Sequence, residues 1–377
     1  MKIRRRRFSV GTPPRALLSM LEYAVLLTTM SLAGCVSGPS PAELRSTPIA
    51  AVLPQGAPPV VDGRAGFRPV FCSELASSPH APAAARPCND WLWRLPDEPP
   101  PELAGSEMAG RSANTVDVVL VPGAFSECFG DEAQPFADGA QLLRSRGYRV
   151  ETLVVSGRSG TEHNAQQIAA ALARYQVTPG HKLVLVGFSK GSMDTLRFLV
   201  DFPAQARMVD AVVSVGGPIM GTPAANVGAG TYAALLKKIP QESCAPGDGL
   251  VLESLKPETQ GAWMAAHSLP ARVRYYSTAG FAARDRIARA LVPSWRYLSK
   301  IDTRNDGQVV ANRALIPGST LLGYVNADHW GLAMHNEKYH PYLVKRRDGT
   351  SFPTATLLSA IVAFVERDLS ATAPEPH

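Results

Sequence analysis

Five consecutive residues of this chain have the types and spacing of a nucleophile site. Gly187-Phe188-Ser189-Lys190-Gly191 fits Gly-x-Ser-x-Gly. It directly follows an apolar run, Leu183-Val184-Leu185-Val186, and directly precedes a helical stretch over 190–201. In that strand–turn–helix setting the serine backbone is forced into a strained turn and its hydroxyl projects. The glycines follow from the same geometry, because side chains two residues either side would collide. The helix aims its N-terminal amide dipoles at the same point. The chemistry expected is nucleophilic catalysis by Ser189.

A serine hydroxyl needs a base, and the base needs an orienting acid. In a site of this kind the chain order is Ser, acid, His. After Ser189 come His267, His329, His335, His340 and His377. His329 follows the last expected strand after a short loop, in Asn326-Ala327-Asp328-His329-Trp330-Gly331, and is the base. His335 and His340 read as surface or loop histidines, and His267 as a residue that lines a pocket. The acid must lie between the fifth and sixth expected strands, where Asp285, Asp302 and Asp306 qualify. Asp306 is preferred, because Asn305-Asp306-Gly307-Gln308-Val309 forms a turn that presents it with neighbouring amides free. Asp302 is the alternative, although Arg304 can pair with it at the surface. Asp328 is expected to face outward. Two amides must also stabilise the developing oxyanion. One is that of Lys190. The other belongs to the loop Pro122-Gly123-Ala124-Phe125, with Ala124 first and Phe125 second.

These groups need a frame. Strands are expected at 116–121, 148–155, 182–186, 210–215, 272–278 and 319–325, with helices at 134–146, 160–175, 190–201 and 354–368. The near-continuous apolar run Val116-Asp117-Val118-Val119-Leu120-Val121 is that of a strand buried on both faces. Strands alternating with helices predict an α/β fold, a mostly parallel sheet with helices on both faces. Its ligands bind at the carboxyl ends of the strands. Residues 220–268 break the alternation as a lid-like insertion. Ala224, Ala225, Val227, Tyr232, Leu235, Leu236, Trp263 and Met264 are positioned there to roof an apolar pocket.

Upstream of residue 113 the reading is of an address, a tether and a preamble. Lys2, Arg4, Arg5, Arg6, Arg7 and Arg15 precede a short apolar stretch that ends in Leu32-Ala33-Gly34-Cys35. Positive, apolar and small residues in that order make a secretory signal over 1–34. Residues 35–66, rich in Pro, Ala, Gly and Ser, read as a flexible tether. Residues 67–112 read as an irregular preamble packed on the core, and 113–377 as the main domain. The charge fits this division. The chain of 377 residues carries a formal +6. Without the signal it has 32 basic and 31 acidic residues, so a nucleic-acid-binding body has no support. Four cysteines besides Cys35 remain: Cys72, Cys88, Cys128 and Cys244. An even number in an oxidising compartment suggests two disulfides among three possible pairings. The preferred set is 72–88 and 128–244. No Cys/His cluster has zinc spacing, so a structural metal is not expected, and nucleophilic catalysis by Ser189 requires neither a metal nor an organic cofactor.

Two family resemblances rest on these residues. Leu32-Ala33-Gly34-Cys35 resembles the lipobox of bacterial lipoproteins, which implies acylation of Cys35 and a membrane anchor. Val36 after the Cys implies the outer membrane, facing the periplasm. Over about residues 113–370 the chain resembles α/β-hydrolases, most of all bacterial secreted lipases and esterases. The Gly-x-Ser-x-Gly elbow and Asn305 to Val309, which match those lipases' Asn-Asp-Gly-x-Val motif, carry the likeness. Pro122 stands where their oxyanion loop has His, with Gly123-Ala124 matching. Gly216-Gly217-Pro218-Ile219-Met220-Gly221-Thr222 is similar to their Gly-x-Pro-His-x-Gly-Ser/Thr segment, with Ile219 at the His position. These departures bear on substrate class rather than mechanism.

The resemblance implies a serine hydrolase acting on carboxylic esters or lipids through Ser189, His329 and Asp306. Two alternatives remain at this point: an acyltransferase using the same triad, and a non-catalytic envelope lipoprotein that kept the fold.

Overall fold

The computed structural model describes residues 38–78, 86–101, 114–129, 134–227, 245–334 and 341–371. Pro39–His377 form one compact unit and Met1–Gly38 another, of which only Gly38 is among the described residues. The expected signal, Cys35, Cys244, Tyr232, Leu235, Leu236, His335, His340 and His377 all lie outside the described residues.

The frame is an eight-stranded sheet. Its strands are β1 (Val61–Asp62), β2 (Leu92–Trp93), β3 (Val116–Val121), β4 (Arg149–Thr152), β5 (Lys182–Phe188), β6 (Val209–Val215), β7 (Arg274–Gly280) and β8 (Thr320–Val325). They lie in the order β1-β8-β7-β6-β5-β3-β4, and β2 pairs with β8. Every pairing is parallel except β2 with β8.

Alternation along each strand divides the core between the two faces. Val118, Leu120, Val184, Val186, Ala211 and Val213 pack into one cluster. Helix α1 (Arg64–Ser77), α2 (Ala137–Ser145) and α7 (Thr354–Ala371) cover that face. Val119, Val121, Leu183, Leu185 and Val212 pack into the other, under α3 (Thr161–Leu172), α4 (Lys190–Asp201) and α5 (Pro257–Ala266). Burial on both faces is why these strands read as unbroken apolar runs. A further helix, α6 (Val292–Leu298), stands between β7 and the loop of Asp306.

The six long strands and four expected helices are present, with ends shifted by a few residues. Two expectations upstream are corrected. The described part of the tether, 39–66, lies against the domain. Leu44 is buried with Trp93 and Leu95, the Val52 amide donates to the Asn312 carbonyl at 2.8 Å, and Val61–Asp62 extend the sheet beside β8. The few apolar residues between the prolines anchor it. The described part of the preamble is not wholly irregular: its residues 67–77 belong to α1, which has 14 residues and runs through Pro69. Its Phe67 meets Phe364 of α7 edge-on at 5.8 Å. Truncating such a core ring to Ala costs about 3–5 kcal/mol. Arg68 on α1 is buried and forms an ion pair with buried Glu98.

The Cys72–Cys88 disulfide joins α1 to the turn before β2. Cys128 is disulfide-bonded as well, and its partner lies outside the described residues. Within those residues, no helix is long and apolar enough to cross a membrane.

Candidate active site

Ser189 stands between β5 and α4 with φ 52° and ψ −126°. A non-glycine residue at positive φ is strained and persists only where its surroundings enforce it. Three glycines make room. A Cβ on Gly187 would lie 2.5 Å from the Ser192 Cα, one on Gly191 2.3 Å from the Val121 carbonyl oxygen, and one on Gly123 2.9 Å from the Ser189 Cβ. The elbow therefore sits tightly against the end of β3.

His329 follows β8 and Asp306 lies in the loop after α6, both at the carboxyl ends of the strands. His329 Nε2 is 2.8 Å from Ser189 Oγ, and His329 Nδ1 is 2.7 Å from Asp306 Oδ2. The other carboxylate oxygen, Asp306 Oδ1, accepts the amides of Gln308 at 2.8 Å and Val309 at 2.6 Å. Asp306 is fully buried, His329 nearly so, and Ser189 half-buried. The Phe188 ring lies 5.1 Å from the imidazole and supports it from the strand side.

The rival acids stand elsewhere. Asp302 pairs with Arg304 at 3.3 Å, as its neighbourhood predicts, and Asp285 is exposed. The expectation for Asp328 is corrected. It is fully buried, and its oxygens accept Arg346 Nε at 2.9 Å, Arg346 Nη2 at 2.8 Å and the amides of Ala288 and Gly331, each at 2.7 Å. Asp328 thus clamps the loop that carries His329, and Arg346, far along the chain, gave no local signal of it.

In the loop after β3 the Phe125 amide donates to the Gly157 carbonyl at 3.0 Å. That bond occupies the second candidate for the oxyanion and leaves Ala124 as the first. Sequence reasoning missed what lies behind Lys190. Its Nζ is fully buried and contacts Asp194 Oδ1 at 2.6 Å. Burial pushes the Asp194 carboxyl up to about 6 and the Lys190 ammonium below its ordinary value. The four-residue spacing of Lys190 and Asp194 was a usable signal for this pair.

The described parts of the inserted segment, 220–227 and 245–268, and Ile219 just before it contribute to the core. Ile219, Met220, Ala225, Val251, Leu255 and Met264 pack into the cluster beneath α3 and α4, whereas Val227 is exposed. A cavity of about 630 Å³, lined by His267, Arg274, Thr320 and Asp368, opens at the amino ends of β7 and β8. It is at the opposite end of the strands from Ser189.

A mostly parallel sheet with serine, acid and histidine in that order at its carboxyl ends defines an α/β-hydrolase fold. One solved structure carries the comparison. The metagenomic carboxyl esterase MGS0156 is 37% identical, covers 86% of this chain and 97% of its own, and superposes with a TM-score of 0.76. The chain belongs to this carboxyl-esterase family of α/β-hydrolases. The mature lipase BlEst2 of Bacillus licheniformis is 23% identical over 62% of this chain and 94% of its own, with a TM-score of 0.48. Lipase 1 of Pelosinus fermentans is 14% identical over 69% and 100%, with a TM-score of 0.46. No protein-family profile matches the chain, and neither does any curated protein.

Proposed function

We propose that this protein hydrolyses carboxylic esters through a Ser189–His329–Asp306 triad and an acyl-enzyme. Ser189 Oγ bonds to the ester carbonyl carbon as its proton passes to His329 Nε2. The carbonyl π electrons move onto oxygen, and the amides of Ala124 and Lys190 stabilise that oxyanion. When the carbon–alkoxy bond breaks, the leaving oxygen takes the proton from Nε2. Water then attacks the acyl-enzyme by the same steps and releases the acid. Asp306 keeps the imidazole proton on Nδ1 and stabilises the imidazolium. Acid–base help of this kind is worth about 10²–10⁴-fold.

The observation that carries the reading is the unbroken relay from Ser189 Oγ to His329 Nε2 at 2.8 Å and from Nδ1 to Asp306 Oδ2 at 2.7 Å. Kinship with a carboxyl esterase supports the substrate class. The test is a series of p-nitrophenyl esters of rising acyl length, together with a fluorophosphonate probe. Wild type should turn over esters and take one label at Ser189, and Ser189→Ala should do neither while remaining folded. Near wild-type turnover by Ser189→Ala would overturn the assignment.

We also propose that Cys35 is acylated and anchors the enzyme to a bacterial envelope membrane, the outer membrane facing the periplasm. The support is the tetrapeptide Leu32-Ala33-Gly34-Cys35 at the end of the apolar stretch.

A further inference from the structure

Lys190 presents a contradiction. It is the first residue of α4, where the helix dipole disfavours a cation. Its side chain is also wholly removed from water, as is that of Asp194. Apolar residues of similar volume would commonly be as stable as such a buried ion pair, or more so. The pair is therefore poorly explained by stability alone, and its connections suggest another role.

Asp194 Oδ2 accepts both Lys190 Nζ at 2.9 Å and Asn164 Nδ2 from α3 at 2.7 Å. Asn164 Nδ2 also donates to the Ser156 carbonyl at 3.0 Å, in the loop after β4. The next residue, Gly157, accepts the Phe125 amide at 3.0 Å and donates its own amide to Glu127 Oε2 at 2.7 Å. Gly157 lies so close beneath that loop that a Cβ would stand 2.5 Å from the Phe125 nitrogen. Phe125 itself is held at φ 62°. One buried path thus runs from Lys190 through Asp194, Asn164 and Ser156-Gly157 to the residue after Ala124.

We infer that the Lys190–Asp194–Asn164 network is a positioning device that sets the two oxyanion amides, those of Lys190 and Ala124, relative to each other. The inference rests on the hydrolase reading above. The two amides belong to separate elements, α4 and the loop after β3, and no direct bond joins them among the described residues. The close contacts of Gly123 with Ser189 and of Gly191 with Val121 bring the two elements together, and the network adds a hydrogen-bonded tie between them through α3 and the loop after β4. Its side chains touch no reacting atom, so they are positioning residues.

The test replaces the buried pair with apolar residues closer in size, Lys190→Met with Asp194→Val, so that no charge is left unpaired. Asn164→Ala, which leaves the elbow helix intact, is the second variant. Removing one oxyanion donor costs about 10²–10³ in kcat, so loosening both should cost about 10- to 100-fold. KM should stay within about twofold, because the lost interaction exists only in the transition state. Affinity for an alkylboronic acid, whose adduct with Ser189 is tetrahedral and anionic, should fall by the same factor as kcat/KM. Thermal midpoints and full labelling of Ser189 should be retained, with slower labelling. A folded double variant with wild-type kcat would overturn the inference, as would a kcat loss without a matching loss of boronate affinity. Unchanged boronate affinity in folded Asn164→Ala would break the proposed path. A wild-type chain that takes no fluorophosphonate label would instead overturn the hydrolase reading, and this inference with it.

Discussion

The backbone amide of His329 donates to the carbonyl of Asp306 at 2.8 Å, while the ring of the same histidine meets that aspartate's carboxylate at 2.7 Å. Two loops from different parts of the sheet are joined by backbone and side chain at once. The imidazole therefore has little freedom to turn away from Ser189.

That double attachment makes Asp306→Asn informative. Asp306 Oδ1 already accepts the amides of Gln308 and Val309, so an asparagine would keep its oxygen there and turn its NH2 toward His329 Nδ1. The ring would then carry its proton on Nε2 and could not accept that of Ser189. Steady-state kinetics should show kcat/KM reduced by about 10⁴, as for the equivalent change in a serine protease. The thermal midpoint should be nearly unchanged. A loss below tenfold would remove Asp306 from the triad.

Asp328→Asn should act through stability instead. Arg346 would remain buried beside a neutral amide, and breaking a buried ion pair on one side costs about 3–5 kcal/mol. Denaturant titration should show that loss. Asp328→Asn/Arg346→Met should recover a good part of it, since the cation that faced the lost carboxylate is removed with it. Equal stability of wild type and the single variant would contradict the clamp.

The Cys72–Cys88 disulfide has a sequence separation of 16. Loops of that size gain about 3 kcal/mol from closure in the chain-entropy account. Cys72→Ala/Cys88→Ala should unfold at lower denaturant, yet retain wild-type kcat, because α1 and β2 contribute no group to the site. A matching drop in kcat under folding conditions would point to a coupling not evident in the contacts.

For the anchor, mass spectrometry of the membrane-extracted wild-type protein should find an acylated N-terminal Cys35. Cys35→Ser should move ester hydrolase activity out of the membrane fraction or block processing. A mature wild-type N-terminus that is unmodified and begins elsewhere would exclude the proposal.

The chain's local patterns carried much of this protein. Continuous apolar runs announced strands buried on both faces, and Gly187 to Gly191 announced the elbow, because a strained turn admits so few residue types. Asn305-Asp306-Gly307 pointed to the acid for the same reason. The upstream segment misled because a stretch rich in Pro, Ala, Gly and Ser over 35–66 read as a tether, whereas burial of Leu44 there and of Phe67 and Phe71 just after it ties the chain to the domain.

What only the tertiary structure decided is how distant polar groups meet. Asp328 looked like a loop residue until Arg346 closed on it. Lys190 looked like the variable position of a motif until Asp194 and Asn164 enclosed it. Local sequence encodes the backbone's own strain and periodicity. The partner of a buried charge is chosen by the packing of elements from other parts of the chain, and only the folded arrangement specifies it.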